Sequence, residues 1–332
     1  MHRFLVIQTA FIGDVVLGTA VIEKLHGWYP DAQIDFLVRK GNESLLAGHP
    51  YINTLLIWDK SRQKKRNLFR MIRQIRQARY THVINLHRFA TSGILTALSG
   101  APFTAGFDKN PVSLLFTERK RHVISQPYAT RVIHETERNQ SLIAGITDST
   151  PAKPALYPST ADRQAVAAYK NGPFVCVAPS SVWFTKQFPV DQWARLIEAL
   201  PQQLKVYLLG GSGDTKLCDE IRQLAAGRQV EILAGRLSFL QSAALMQDAA
   251  MNYVNDSGPL HFASAVGAPV TAVFCSTVPA FGFGPLNANA RVVEIEERLY
   301  CRPCGLHGHK ACPEGHFRCA LDIKTTQLLW WI

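Results

Sequence analysis

Short apolar runs of strand length alternate with longer segments of helical periodicity, and the alternation occurs twice along the chain. In the first half, residues 4–7, 33–38, 54–58 and 82–86 read as strands, and residues 15–26, 67–79 and 92–98 as helices. Within 67–79, Leu68, Met71, Ile72, Ile75 and Ala78 share one face and Arg66, Arg70, Arg73 and Arg76 the other, the pattern of a helix half-buried on a core. Residues 148–160 hold Pro151, Pro154 and Pro158 among Ser and Thr, a linker composition. The alternation then restarts, with strands at 174–178, 205–209, 230–233, 251–255 and 269–274 and helices at 191–200, 215–225, 239–247 and 259–266. Trp193, Leu196, Ile197 and Leu200 line one face of the 191–200 helix, with Asp191 as its cap. Strands alternating with helices imply parallel sheets covered on both faces. The chain is therefore read as α/β, with two Rossmann-like doubly wound domains facing a ligand cleft at the carboxyl ends of their strands. The expected bounds are 1–150, a linker at 151–160, 161–322, and a short terminal segment at 323–332. A length of 332 residues agrees with two domains of about 150 each.

Composition narrows the function classes. Hydrophobic residues make up 47% and charged residues 18%, which excludes disorder as the main state. Lys and Arg outnumber Asp and Glu by 36 to 25, a net charge of +11, so an anionic partner is expected. Residues 257–289 carry no charge, but Pro259, Gly267, Pro269, Pro279, Gly282, Gly284 and Pro285 interrupt them, so they read as buried strand, loop and helix rather than a membrane span. Asp14 interrupts the apolar run 4–22 and no export-type cleavage site follows. A cytoplasmic protein is expected, one able to rest on a membrane. Residues 60–79 contain nine Lys or Arg and no acid. Their plainest reading is a solvated helix face. The functional reading gives Lys60, Lys64, Arg66, Arg70 and Arg73 to an anionic acceptor or lipid headgroups. Nucleic acid is set aside, because no recognition motif accompanies the charge.

Two local patterns bear on chemistry. Asn255-Asp256-Ser257-Gly258-Pro259-Leu260-His261 follows a strand and opens a helix, with Pro259 suited to the first helical position. Such a turn offers free backbone N–H groups to a phosphate, and it is equally an ordinary capped turn. His261 fits either the site or the core. The second pattern is Cys301, Cys304, Cys312 and Cys319, spaced C-x2-C-x7-C-x6-C with His307, His309 and His316 between them. In a reducing compartment the four sulfurs suit a closed structural zinc site. Four unligated thiols are an equal alternative, and neither is catalytic. Cys176, Cys218 and Cys275 read as small core residues.

Together the motifs resemble glycosyltransferase family 9, the heptosyltransferases. The stretch Asn255-Asp256-Ser257-Gly258-Pro259-Leu260-His261 and its continuation to Pro269 resemble the family signature, and Ile12-Gly13-Asp14-Val15-Val16 with Thr19 resembles its first strand–helix turn. So do the segments at 79–87, Gly106-Phe107, and His134-Glu135-Thr136-Glu137-Arg138. Pro179-Ser180-Ser181 followed by Lys186-Gln187-Phe188-Pro189 and Trp193 resembles the donor-phosphate loop. The likeness spans nearly the whole chain and implies a GT-B fold.

The resemblance implies inverting transfer of heptose from an ADP-sugar donor to the inner core of lipopolysaccharide. Single displacement needs a base on the acceptor hydroxyl and charge stabilisation on the leaving diphosphate. Asp14 stands at the family's base position; taken alone, an Asp at a helix start is a cap. The resemblance places Lys186 against the diphosphate, with Ser180, Ser181, Asp256, Ser257, Gly258 and His261 at the donor end and Glu231 near the ribose. An isolated Lys would otherwise read as solvated, and Glu231 as a surface carboxylate. No cofactor is then required for catalysis, and zinc would be structural only. Alternatives are the same fold with another nucleotide sugar or acceptor, and a non-enzymatic basic module for lipid or RNA. A dehydrogenase is disfavoured, since no G-x-G-x-x-G follows the first strand.

Overall fold

The repeated alternation folds into two six-stranded, all-parallel sheets of identical winding. The structure, a computed structural model, describes residues 1–61 and 63–332. Arg62, part of the basic segment, lies outside the described residues. One unit comprises Met1–Ile124 with Ile133–Tyr157, and the other Ser125–Val132 with Pro158–Ile332. The change of unit at Tyr157 falls inside the Pro-rich stretch. The excursion of Ser125–Val132 into the second unit has no counterpart in the alternation.

The first unit contains β1 (Arg3–Ile7), α1 (Ile12–Trp28), β2 (Gln33–Arg39), β3 (Thr54–Trp58), α2 (Lys64–Ala78), β4 (His82–Asn85), α3 (Ala90–Ala97), β5 (Phe103–Phe107), β6 (Glu118–Lys120) and α4 (Glu135–Ser141). Its strand order is β3-β2-β1-β4-β5-β6. The order reverses direction between β1 and β4, the switch point where doubly wound folds bind ligands. Leu5, Ile7, Leu37, Val83 and Leu95 form a core on which Met71 and Ile75 of α2 pack, with Leu68, Ile72 and Ala78 beside them. That is the face expected from the sequence. β5 was not anticipated. It includes Gly106, where an added Cβ would lie 2.5 Å from the Phe116 ring, so glycine there admits the aromatic.

The second unit contains α5 (Thr160–Ala165), β7 (Phe174–Ala178), α6 (Val190–Ala199), β8 (Lys205–Leu208), α7 (Thr215–Leu224), β9 (Val230–Ile232), α8 (Phe239–Gln247), β10 (Met251–Asn255), α9 (Gly258–Val266), β11 (Val270–Val273), β12 (Ala290–Val293), α10 (Arg318–Leu321) and α11 (Thr325–Leu328). The order β12-β11-β10-β7-β8-β9 repeats that of the first unit, with its switch point between β7 and β10. Both of these strands are buried along their full length, as covering helices require.

Two details differ from the sequence reading, and a third resolves what it left open. Asp191 is not the cap of α6: Pro189 holds that position and Asp191 lies in the first turn, paired with Arg195. α9 begins one residue early, at Gly258, because Ser257 takes the extended cap conformation. The aromatic terminus, open in the sequence, is tied to its own unit. Trp330 Nε1 donates to Thr271 Oγ1 at 2.9 Å and Trp331 Nε1 to the Tyr253 hydroxyl at 2.7 Å. No helix among the described residues is long and apolar enough to cross a membrane.

Candidate functional site

In the second unit, the loops after β7 and β10 meet at a short ion pair. Lys186 Nζ stands 2.6 Å from Asp256 Oδ2, with both side chains largely buried. The same oxygen accepts a hydrogen bond from Thr277 Oγ1 at 2.6 Å. Asn255, the last residue of β10, fastens the Lys186 loop at both ends: its Nδ2 donates to Pro179 O at 2.6 Å and its Oδ1 accepts from Phe188 N at 3.0 Å. Ser180 and Ser181 lie partly exposed on this loop, and Ser181 O accepts from Gln187 Nε2. Ser257 caps α9 through its backbone only, with no side-chain cap bond. The positive end of α9 therefore adjoins Asp256 without an internal side-chain anion on its first amides. A cation beside the start of a helix is an arrangement that can receive an anion. His261 is buried in α9, edge-on to Phe283.

Glu231 does not join this cluster. It lies on the edge strand β9, exposed, with its carboxylate 3.1 Å from Arg236. Its register partner is Tyr207 of β8, so β8 separates its strand from β7. The sequence match at this position was loose, and the carboxylate is engaged locally.

In the first unit, Phe11 caps α1 without a side-chain bond, and Asp14 falls in the first turn. The Asp14 carboxyl is pushed up to about 7. Loss of water contact is the main cause, and repulsion from Glu135 adds to it. Backbone N–H groups of Phe11 and Asp14 and the Arg88 charge pull the other way. Asp14 thus serves the helix start and keeps a basicity suited to proton transfer near neutrality. Glu135, buried at the start of α4, pairs with Arg138 at 2.7 Å, and Arg138 Nη1 donates to Ile133 O at 2.7 Å. The sequence showed this pair only as part of a family-like string, with no role attached.

The basic candidates separate into two groups. Lys60 turns toward the strand ends: its Nζ donates to Thr9 Oγ1 at 2.8 Å, and Thr9 Oγ1 lies 3.2 Å from His87 Nδ1. Burial, with repulsion from Arg39, lowers Lys60 to about 8. Lys64, Arg66, Arg70 and Arg73 are exposed on α2, with Phe69 also exposed among them.

Cys301, Cys304, Cys312 and Cys319 line one cavity of about 260 Å³, together with His309 and His316. All four are unbridged. Cys301 Sγ lies 3.9 Å from His316 Nε2, and Cys304 Sγ points to Cys301 O at 3.3 Å. Among the described residues, no three His, Cys, Asp or Glu side chains are placed to hold a metal ion. The donor set suits zinc, but its arrangement here is not a closed shell. Cys176, Cys218 and Cys275 are buried, as expected of core residues.

Two parallel sheets of this winding, each with polar loops at its switch point, define a doubly wound α/β protein. The sequence model described as glycosyltransferase family 9 (heptosyltransferase) matches residues 68–314. Lipopolysaccharide heptosyltransferase 3 of Escherichia coli strain K12 is 30% identical over 286 residues, covering 81% of each chain. The solved structure of the E. coli ADP-heptose lps heptosyltransferase II aligns with a TM-score of 0.78 at 21% identity, covering 98% of this chain and 96% of that one. An E. coli heptosyltransferase solved with ADP aligns at 0.69 with 19% identity, over 87% and 92% of the two chains. Their α/β fold, of the GT-B class, is the fold of this chain as well. The chain belongs to glycosyltransferase family 9 and is a heptosyltransferase enzyme.

Proposed function

We propose that the enzyme transfers heptose from ADP-heptose to the inner core of lipopolysaccharide, with inversion at the anomeric carbon. The observation that carries this reading is the junction of Lys186, Asp256 and the start of α9. Asp256 holds the Lys186 ammonium where a diphosphate meets both the cation and the first amides of the helix. Ser180, Ser181, Ser257 and Gly258 supply further donors from the same two loops. The fluoro-heptose complex of a family relative, solved with ADP-2-deoxy-2-fluoro heptose, agrees with this choice of donor.

Asp14 takes the acceptor hydroxyl proton as that oxygen bonds to the anomeric carbon. The bond from that carbon to the diphosphate breaks, and ADP leaves with the charge that Lys186 and the α9 amides neutralise. The sugar inverts because attack and departure lie on opposite faces. Lys60 and the exposed cations of α2 meet the acceptor's phosphates and carboxylates, and α2 rests on the anionic cytoplasmic face of the inner membrane. Glu231 has no part in this scheme. No step runs through Cys301, Cys304, Cys312 or Cys319.

Incubation with ADP-heptose and a truncated core lipid tests the reading. A heptosylated lipid, free ADP and a glycosidic bond of configuration opposite to the donor's are expected. Turnover of UDP-, GDP- or CDP-sugars with none of ADP-heptose would reject the donor; a retained configuration would reject the single displacement.

A further inference from the structure

The Cys-rich segment grips the donor cluster from outside. Lys186 follows Thr185, which is 1% exposed. The Thr185 hydroxyl accepts from His309 N at 2.7 Å and from Ser276 Oγ at 3.0 Å, and it donates to His309 O. Thr185 N also donates to His309 O at 3.1 Å. Every hydrogen-bonding position of that hydroxyl is thus filled, which fixes it where a buried polar group would otherwise be costly. Gly308 lies in the left-handed region with φ +77, and a Cβ there would stand 2.8 Å from Thr185 Oγ1 and 3.2 Å from Lys186 Cγ. The segment therefore approaches the Thr185 hydroxyl more closely than a side-chain-bearing residue permits, and it lies tight against the Lys186 stem.

The same segment holds the other half of the ion pair. Arg302, 7% exposed, donates from Nε to Cys275 O at 2.7 Å and from Nη2 to Thr277 O at 2.7 Å. Its charge is balanced by Glu294 at 2.6 Å. Cys304 N donates to Ser276 O at 2.8 Å. These bonds set the strand-end segment 274–277, and Thr277 in turn holds Asp256. One loop thus anchors the backbone behind Lys186 and the backbone behind Asp256.

We infer that the segment from Arg302 to His309 is the positioning device of the donor site, with Thr185, Gly308 and Arg302 as positioning residues that set the Lys186–Asp256 pair. This rests on the reading of Lys186 as the diphosphate cation. None of the three is among the residues assigned above to the sugar or the acceptor, so their effect falls on ADP binding and the donor KM, and leaves the acceptor KM in place.

The test is ADP titration by calorimetry on the full chain, with thermal melts to confirm folding. Losing a buried hydroxyl partner or adding a clashing methyl predicts about tenfold weaker ADP binding for Thr185→Val and for Gly308→Ala. Thr185→Ser, which keeps the hydroxyl, should stay within about twofold. Should Gly308→Ala fail to fold, Thr185→Val against Thr185→Ser decides. Lys186→Ala is measured alongside. If it binds ADP like the wild type, the reading of Lys186 falls. If it binds weakly while folded Thr185→Val binds normally, only the positioning role falls. An equal loss in Thr185→Ser and Thr185→Val, or a rise in acceptor KM matching that for donor, would also overturn it.

Discussion

The two sheets share one winding order, yet their switch points treat a carboxylate in opposite ways. In the first unit, Asp14 loses water, faces repulsion from Glu135 and has its proton affinity raised to about 7. In the second, Asp256 is held 2.6 Å from Lys186 and bonded to Thr277. Both follow a strand at the switch point, Asp14 inside the first turn of α1 and Asp256 just before the cap of α9. What differs is the surroundings: loss of water, with Glu135 second, raises the Asp14 carboxyl, whereas Asp256 pairs with an ammonium. Fold similarity alone would not separate these roles.

The sharpest way to break the contrast is Asp14→Asn. Loss of a general base predicts a fall in transfer of about 10²–10⁴-fold, with ADP affinity unchanged; transfer near the wild-type rate would remove Asp14 from the mechanism. On the other side, Lys186→Ala should weaken ADP binding about 10–100-fold by removing a charge-assisted contact. Calorimetry with ADP reads it directly, and equal affinities would end the assignment. Replacing Lys64, Arg66, Arg70 and Arg73 by Gln should raise the acceptor KM about tenfold and flatten its salt dependence, leaving ADP binding alone. An unchanged acceptor KM at low salt would return α2 to a plain solvated face.

A stability effect of opposite sign to the activity effect follows from the raised Asp14. Its folded value lies above the unfolded one, so the protonated acid favours folding below about pH 4. That contribution is lost as pH rises through about 7. Asp14→Asn should therefore melt a few degrees higher than the wild type at pH 8, with the gap closing toward pH 4. A lower melting temperature at pH 8 would show that the carboxylate is stabilising. Glu231→Gln is the smallest expected change: ADP affinity within about twofold, because its carboxylate pairs with Arg236. A larger loss would bring β9 back into the donor site.

Much of this was readable before any coordinates. β3, β7, β10 and helix α8 lie within the segments that periodicity marks; for β7 and β10 this is because buried parallel strands are uninterrupted apolar runs. β5, β6, β12 and α4 were missed, being short, polar or glycine-containing, and held by neighbours rather than by their own pattern. The chemistry divides similarly. Asp14, Lys186 and Asp256 stand in motifs that single them out. Thr185, Ser276, Thr277 and Arg302 do not, since loop side chains have no periodic signature and their partners lie far along the chain. One signal was available: residues 257–289 lack charge, so the polar groups there had to find partners elsewhere, and Arg302 is one of them. Glu231, a looser match, stands on β9 paired with Arg236.

The most direct test of the account is the pH dependence of kcat/KM for heptosyl transfer by the wild-type enzyme. A base raised by burial and by Glu135 predicts a rate that climbs with a slope of one proton and levels off above about pH 7. A profile flat from pH 5 to 8 would contradict it, because a carboxylate of ordinary acidity would already be fully ionised across that range.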